Sequence, residues 1–347
     1  MDTADLSTIV KYAWLAYDSS RPIQSILDIS ARVSTNHVFR VRFKDRSFVI
    51  AKLSYFGKFE HFVEDHTIVN VLGNNLLKPY DNFLATSLMK GKEIFFHRFS
   101  NGIIDAWVVF YRPVKIKNKL PRRLEERHID VLAEQMAGFH KACQTISHTL
   151  PPSSQTLKGE ICHLQSLLKR SEGKRMFGRF VPAIQDQCSR FLENWEKLNG
   201  DSFARIPVFV DWNIGNFSVT PSFKLYSRWD YDWFRVSTRM MDMYFLSRIV
   251  SDVGDKTIFS YNISTFMEDR FIRFLSTYHQ INPLSKEELL VLREGYRFFI
   301  LHYVVKHGKY FFAESYAEKL QKEAFEVYFP SIDKEFHPDT LISALGI

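Results

Sequence analysis

The sequence predicts an α+β protein in which a strand-rich N-terminal third precedes a larger, mostly helical region. Short apolar runs bounded by turn residues, many of them alternating, occur between residues 26 and 111, which is typical of β-strands. From residue 128 onward, apolar residues recur mainly at helical spacing. With 347 residues, the chain is long enough for two domains or for two lobes around one cleft.

Composition narrows the class of protein. Hydrophobic residues make up 46% and charged residues 24%, which indicates a globular chain. The net charge of +7 suits an anionic ligand such as a nucleotide, but it predicts no nucleic-acid binding, which needs basic residues concentrated on one face. The most basic run, Lys115–Arg127, is interpreted as a solvated connection.

Three further features indicate a cytoplasmic protein without a membrane anchor. No apolar run approaches the length that spans a bilayer, and no signal peptide is recognisable at the N-terminus. The three cysteines lack metal-type spacing and are odd in number, so free thiols in a reducing compartment are expected.

The N-terminal third reads as a helix, a hairpin, a second helix and further strands. The pattern predicts these elements in order: a helix over 5–18, strands over 30–33, 38–43 and 47–53, a helix over 58–73, and strands over 83–89, 93–99 and 106–111. Beyond it we expect helices over 128–143, 160–170, 176–198, 240–253, 263–279 and 285–326.

Polar residues that could take part in catalysis or bind a metal ion are concentrated between residues 208 and 242. The turn Asp211-Trp-Asn-Ile-Gly-Asn216 separates two apolar runs, and a third run leads into Asp230-Tyr-Asp232. This layout is a loop, a hairpin and a second acidic turn, which can bring two carboxylates and a carboxamide into one pocket. Such a set can hold Mg²⁺ and orient a hydroxyl group for phosphoryl transfer.

These residues resemble the catalytic segment of the aminoglycoside phosphotransferase and choline kinase superfamily, Asp-(four residues)-Asn followed by an Asp after a hairpin. The strand Val-Ile-Ala-Lys52 and the helix phrase Leu-Ala-x-x-Met-Ala-x-Phe-His140 are also similar to that superfamily. The usual His-Gly before the first Asp is Phe209-Val210 here. The resemblance covers approximately residues 30–250.

The resemblance implies a bilobal protein-kinase-like fold. The N-terminal lobe, residues 1–111, would carry an antiparallel sheet with helices and bind the nucleotide. The C-terminal lobe, residues 112–347, would carry the catalytic loop and a helical substrate region. The hinge between the lobes is expected near Phe110–Pro113.

The resemblance also implies roles in an ATP- and Mg²⁺-dependent site. Asp211 would accept or orient the proton of the hydroxyl group. Asn216 and Asp230 would bind Mg²⁺, and Asp232 is the alternative or additional metal ligand.

Cofactor-binding residues are expected in the first third of the chain. Lys52 would contact the α- and β-phosphates of ATP, held by an ion pair with Glu64, for which Glu60 is the rival. Ser34, Thr35 and Asn36 would form the polar loop that covers the phosphates.

Two residues are assigned supporting roles. Asp242 is expected to open a helix and to brace the catalytic loop through hydrogen bonds, and His140 is interpreted as a hydrogen-bonded structural histidine. The imidazole missing at position 209 leaves a gap in the usual pattern, for which Arg205 or Asn213 are candidates to compensate.

The sequence therefore predicts an ATP-dependent phosphotransferase that acts on a hydroxyl group of a small molecule. One alternative is a degenerate kinase-like protein that binds a nucleotide or ligand without catalysis, since the glycines of the phosphate loop and the usual histidine are missing. Another is a protein kinase, because a fold does not determine its acceptor. Neither the acceptor nor the oligomeric state follows from the sequence.

Overall fold

The computed structural model describes residues 3–30, 37–102, 104–254 and 259–347. The N-terminal part combines two helices with a five-stranded antiparallel sheet in the order β1-β2-β3-β7-β6. Its elements are α1 (Thr3–Tyr17), β1 (Ile23–Asp28), β2 (His37–Phe43), β3 (Phe48–Ser54), α2 (Phe59–Asn75), β4 (Met89–Lys90), β5 (Glu93–Ile94), β6 (Phe96–Ser100) and β7 (Asp105–Tyr111).

Helix α1 packs on one face of this sheet through a buried aromatic cluster. The Trp14 ring lies 4.5 Å from that of Phe43 and 5.2 Å from that of Phe110, measured between centroids. Strand β3 is central, and the register places Lys52 opposite Val38 on β2 and Val109 on β7. Lys52 therefore lies on the central strand of the sheet, which is paired on both sides.

The C-terminal part is mostly helical. Its elements are α3 (Glu126–Ile146), α4 (Leu157–Lys169), α5 (Ser171–Phe177), α6 (Val181–Lys197), β8 (Ile206–Val208), β9 (Phe217–Val219), β10 (Leu225–Arg228), β11 (Arg235–Ser237), α7 (Met243–Val250), α8 (Asp269–Ile281), α9 (Lys286–Phe299), α10 (Gly308–Phe311), α11 (Glu314–Glu323), α12 (Phe329–Glu335) and α13 (Pro338–Leu345). Helix α9 continues into a π-helical segment over Ile300–Lys306, and a second π-helical segment spans Ala324–Tyr328.

Two small antiparallel pairs frame the segment that the sequence singled out. Strand β9 pairs with β10, and β8 pairs with β11. The turn that carries Asp211 and Asn216 connects β8 to β9, and the turn that carries Asp230 and Asp232 connects β10 to β11. Both polar turns therefore lie beside each other at the ends of these pairs.

Most predicted elements are confirmed, and two are wrong. Residues 83–89 form isolated bridges through Leu84 and Ser87 and not a strand, because Phe83 and Ala85 bond to the backbone of Arg228. The first strand lies at 23–28; the strand expected over 30–33 falls largely outside the described residues. The helix expected over 285–326 is interrupted at His307 and Phe312.

The bilobal architecture expected from the resemblance is confirmed, whereas the boundary between residues 111 and 112 stays a prediction. Strand β7 ends at Tyr111, and the following chain bonds to β9 through Asn118 and Val219. Within the described ranges, no helix has both the length and the apolar character to cross a membrane.

Candidate active site

The candidate catalytic loop is braced by one buried carboxylate. Oδ1 of Asp242 accepts hydrogen bonds from the backbone N–H groups of Phe209, at 2.9 Å, and Val210, at 2.7 Å. The φ angle of Val210 is 58°, a left-handed conformation that is uncommon for a β-branched residue. The bonds to Asp242 therefore hold a strained residue directly before Asp211.

The other oxygen of Asp242 is held by the predicted structural histidine. Nε2 of His140 donates to Oδ2 of Asp242 at 2.9 Å, and its Nδ1 accepts from the hydroxyl group of Tyr278 at 2.8 Å. The side chains of His140 and Asp242 are both fully buried. The expected bracing role of Asp242 and the structural role of His140 are confirmed by this geometry.

Arg228 lies against Phe209, the residue at the position of the usual histidine. Its Nη2 donates to the carbonyl oxygen of Asp211 at 2.9 Å, and its guanidinium lies over the rings of Phe209 and Trp212 at 4.5 and 4.3 Å. The residue is 0% exposed. Cation–π contacts and a charge-assisted hydrogen bond thus order the loop.

Neither residue that sequence reasoning offered as a replacement takes this position. The Arg205 guanidinium donates to the carbonyl oxygens of Val236 and Gln155, away from the loop. Asn213 takes part through its backbone: its N–H donates to Oδ1 of Asp211 at 3.1 Å, and its carbonyl oxygen accepts from the N–H of Asn216 at 2.9 Å. Arg228 lies outside the motif and at the end of an apolar strand, so the sequence alone gave little reason to select it.

The surroundings of Asp211 suit a proton acceptor. Burial and the nearby charge of Asp230 raise the pKa of Asp211 to about 6. Nδ2 of Asn216 donates to the carbonyl oxygen of Asp211 at 3.4 Å, which links the two ends of the turn. A carboxyl group with a pKa close to neutral can accept a proton and release it again near physiological pH.

Lys52 reaches across from the sheet to the second acidic turn. Its Nζ lies 3.2 Å from Oδ1 of Asp230 and also contacts Asp232. Burial lowers the pKa of Lys52, but the charges of Asp230 and Asp232 outweigh burial and raise it above its usual value. The ammonium group is therefore charged, and it joins the two parts of the molecule at this point.

The two acids of this turn have different environments. The side chain of Asp230 is 40% exposed and that of Asp232 is 18% exposed. Burial would raise the pKa of Asp230, yet Lys52 outweighs burial and holds it below its usual value. Burial and the charge of Asp230 raise the pKa of Asp232 to about 7. Asp230 thus presents the charged and more accessible carboxylate. Its φ angle is 68°.

Lys52 does not pair with Glu64, so the predicted ion pair is absent from the described part of the chain. Oε1 of Glu64 instead accepts bonds from Oγ of Ser153 and from the N–H of Ser154, both at 2.9 Å. The rival, Glu60, lies near Arg98 at 4.0 Å and is 73% exposed. Helical periodicity placed both glutamates at the edge of the packed face but did not determine which side of α2 faces the sheet.

The α2 residue beside Lys52 is the buried His66. Its Nδ1–H donates to the carbonyl oxygen of Phe62 at 2.7 Å, so its Nε2 accepts a bond from the hydroxyl group of Tyr111. Burial and the charge of Lys52 lower the pKa of His66 to about 3. The α2 side chain near Lys52 is therefore a neutral imidazole that bonds to Tyr111 of β7, and not the expected carboxylate. His66 stands three residues before the buried Val69, on the same face of the helix. This spacing is the sequence feature that could have indicated its burial.

The residues present fit the divalent cation that the resemblance implies. Asp230 offers a charged carboxylate, Asp232 lies two residues away, and Asn216 keeps Oδ1 as an available ligand because its Nδ2 faces Asp211. Hard oxygen donors of this kind suit Mg²⁺. Ser34, Thr35 and Asn36, predicted to cover the phosphates, lie outside the described residues.

The comparisons with known proteins support this architecture. No family model matches the chain, and no curated protein matches its sequence. Solved structures do match. The amicoumacin kinase hAmiN, in complex with AMP-PNP, Ca²⁺ and Ami, matches with a TM-score of 0.60 and 11% identity, over 97% of this chain and 99% of that chain. Choline kinase LicA from Streptococcus pneumoniae gives a TM-score of 0.56 and 13% identity, over 93% and 98%.

A third match is a macrolide 2'-phosphotransferase type I, with a TM-score of 0.52 and 13% identity over 93% of this chain and 97% of that chain. Similarity at these identities establishes the fold. The chain has the bilobal protein-kinase-like fold of these small-molecule kinases and phosphotransferases, as the resemblance implied.

Proposed function

We propose that this protein is an ATP-dependent phosphotransferase that transfers the γ-phosphoryl group to a hydroxyl group of a small molecule. The observation that supports this most is the contact of Lys52 with Asp230, 178 residues apart in sequence, next to Asp211. A fold by itself does not fix an activity, so the proposal depends on these side chains. The solved structures of the same fold include kinases of small molecules, among them one in complex with AMP-PNP.

The proposed reaction uses each residue for one task. Asp211 accepts the proton of the acceptor hydroxyl group. The oxygen of that hydroxyl group forms a bond to the γ-phosphorus, and the bond from this phosphorus to the β–γ bridging oxygen breaks to release ADP. Lys52 orients the α- and β-phosphates. Asn216 and Asp230, with Asp232 beside them, would hold Mg²⁺, which neutralises phosphate charge when bound.

Replacement of Asp211 by Asn tests the proposal. We expect ATP turnover, read as ADP release with a panel of hydroxyl metabolites, to fall by roughly 100-fold or more while nucleotide binding persists. Asp81→Asn, at an exposed turn, is the matched control that should keep full turnover. Turnover that is unchanged in Asp211→Asn would reject Asp211 as the base.

The second candidate is a kinase-like protein that binds a nucleotide without catalysis. Two observations favour it: the absence of an imidazole at Phe209, and the neutral His66 near Lys52. Thermal shift with ATP, in the presence and absence of Mg²⁺, combined with the metabolite panel separates the two. Nucleotide binding without turnover for any hydroxyl compound would favour this second candidate.

A further inference from the structure

A pocket with several charged residues in its wall lies directly beside the candidate site. Its volume is about 430 Å³, within the range of small-molecule sites. Its walls come from α2, the first turn of α4, the segment after Asp230, and the π-helical segment, and Asp232 lines it. Its wall includes the charged residues Asp65, Glu160, Arg235 and Lys306. The pocket thus lies next to the Lys52–Asp232 contact: Asp232 lines the pocket, whereas Lys52 does not.

Arg235 contributes a buried positive charge to this wall. The residue is only 5% exposed, and its hydrogen bonds go to the hydroxyl group of Tyr303, at 2.8 Å, and to Nε2 of His302, at 3.2 Å. Its guanidinium also lies 4.7 Å from the centre of the Phe298 ring. None of these groups is an anion, and within the described ranges no carboxylate forms an ion pair with Arg235. Burial of such a charge is costly unless an anion compensates it.

The acidic counterpart of Arg235 in the wall of this pocket is Asp65. Its oxygens accept bonds from the Gln155 amide group at 3.3 and 3.5 Å, and the described residues provide it with no ion-pair partner. Burial raises the pKa of Asp65 to about 8, even though the charge of Arg235 opposes this rise. The pocket therefore contains one cation and one acid that influence each other's charge, although neither forms a direct ion pair within the described residues.

Two further charged groups of the wall, Lys306 and Glu160, compensate each other. Nζ of Lys306 lies 2.8 Å from Oε2 of Glu160. Glu160, His302 and His307 are close enough to hold a metal ion, but Lys306 occupies the carboxylate and Arg235 donates to His302. A further cation at this place would meet two positive charges, so the cluster is better described as a closed ion pair than as a metal site.

We propose that this pocket binds a zwitterionic acceptor, a small hydroxyl compound that carries both a carboxylate and an ammonium group. The carboxylate binds at Arg235 and the ammonium group at Asp65. This inference deepens the proposed function and depends on it for the fate of the hydroxyl group. An ammonium group would favour the ionised form of Asp65, and a carboxylate would compensate the buried charge of Arg235. A compound with only one of these charges would gain only one of the two contributions.

Threonine and two analogues that each lack one of its charged groups test the proposal without any nucleotide. These analogues are 3-hydroxybutanoate, which lacks the ammonium group, and 1-amino-2-propanol, which lacks the carboxylate. We expect isothermal titration of the full chain to give threonine a Kd at least about tenfold lower than that of either analogue. Equal affinities, a preference for a singly charged analogue, or no binding of threonine would overturn the proposal.

Two variants assign the two ends. Asp65→Asn should remove most of the preference for threonine over 3-hydroxybutanoate, and Arg235→Gln most of the preference over 1-amino-2-propanol. Glu60→Gln is the matched control, because this exposed glutamate of the same helix lies near Arg98 and does not line the pocket. Unchanged preferences in Asp65→Asn, which is nearly isosteric, would overturn the assignment even if Arg235→Gln does not fold.

The pocket and the proposed function can fail separately. Binding of threonine without ADP release would leave the pocket assignment intact and count against phosphotransfer. ADP release that is equal for zwitterionic, anionic and cationic hydroxyl compounds would support phosphotransfer and overturn the zwitterion pocket.

Discussion

The backbone N–H of Val210 donates to Oδ1 of Asp242 at 2.7 Å, and this bond holds the residue before the candidate base in a left-handed conformation. The contact links the catalytic loop to the start of α7. Because Asp242 is itself fixed by His140, the position of Asp211 depends on a chain of buried hydrogen bonds that begins on α3.

Removal of the Asp242 side chain should therefore destabilise the protein strongly. Asp242→Ala leaves the N–H groups of Phe209 and Val210 and the His140 ring without an acceptor, and each unsatisfied buried group costs about 1–3 kcal/mol. We expect the free energy of unfolding, measured in urea, to fall by roughly 3 kcal/mol or more. Asp242→Asn should cost less, because a carboxamide oxygen can still accept from the loop; the reverse order would contradict the bracing role.

Loss of the Arg228 charge should shift the pH dependence of turnover. Arg228 lowers the pKa of Asp211, while burial and Asp230 raise it to about 6. In Arg228→Met the pKa of Asp211 should rise further, so the acid limb of the kcat/KM profile moves to higher pH. Arg205→Met, which removes an exposed arginine away from the loop, serves as the control and should leave the profile in place. An acid limb that stays or moves down would show that Asp211 is not the titrating group.

Lys52→Met should abolish the response to nucleotide. The variant loses the cation that would meet the phosphates and leaves Asp230 and Asp232 to repel each other. We expect the Tm increase produced by ATP and Mg²⁺ to disappear and turnover to fall by roughly 100-fold. Lys92→Met, at an exposed position of the N-terminal part, should behave like the wild type. Retention of the full Tm increase by Lys52→Met would place the nucleotide elsewhere.

Asp65 should make the protein less stable as the pH rises. Its pKa in the folded chain is about 8 against an ordinary value of 3.8, so the folded state holds a proton that the unfolded state has lost. The free energy of unfolding must then decrease as the pH rises through the range between these two pKa values. At pH 8, Asp65→Asn should exceed the wild type by at least about 1.4 kcal/mol, the value of one pKa unit, with little difference near pH 4.

The same urea titration of Asp186→Asn, at an exposed acid, should follow the wild type at every pH. A constant difference between Asp65→Asn and the wild type from pH 4 to pH 8 would mean that Asp65 does not keep its proton in the folded chain.

The parts of the site that the sequence predicted are those encoded within short segments. Lys52 ends an apolar strand, and Asp211, Asn216 and Asp230 stand at turns between apolar runs, so their local context is visible in the sequence. The structure brings Lys52 to Asp230 and Asp232, as the resemblance required.

The residues that were missed depend on contacts between distant segments. Arg228, His66 and Arg235 gain their roles from the burial that the assembled chain imposes, which no short window reveals. Glu64 was misassigned for the same reason: helical spacing shows which residues share a face of α2, but the angle at which that helix meets the sheet is set by packing.

The π-helical segment over Ile300–Lys306 has a consequence for how this pocket could arise. The N–H of His307 bonds to the carbonyl oxygen of His302, one residue further back than in an α-helix. Since each residue of a regular helix turns the chain by about 100°, deletion of a single residue here would rotate everything downstream by that angle. A change of one codon could thus carry Lys306 and His307 away from Glu160 and give related chains a differently charged wall.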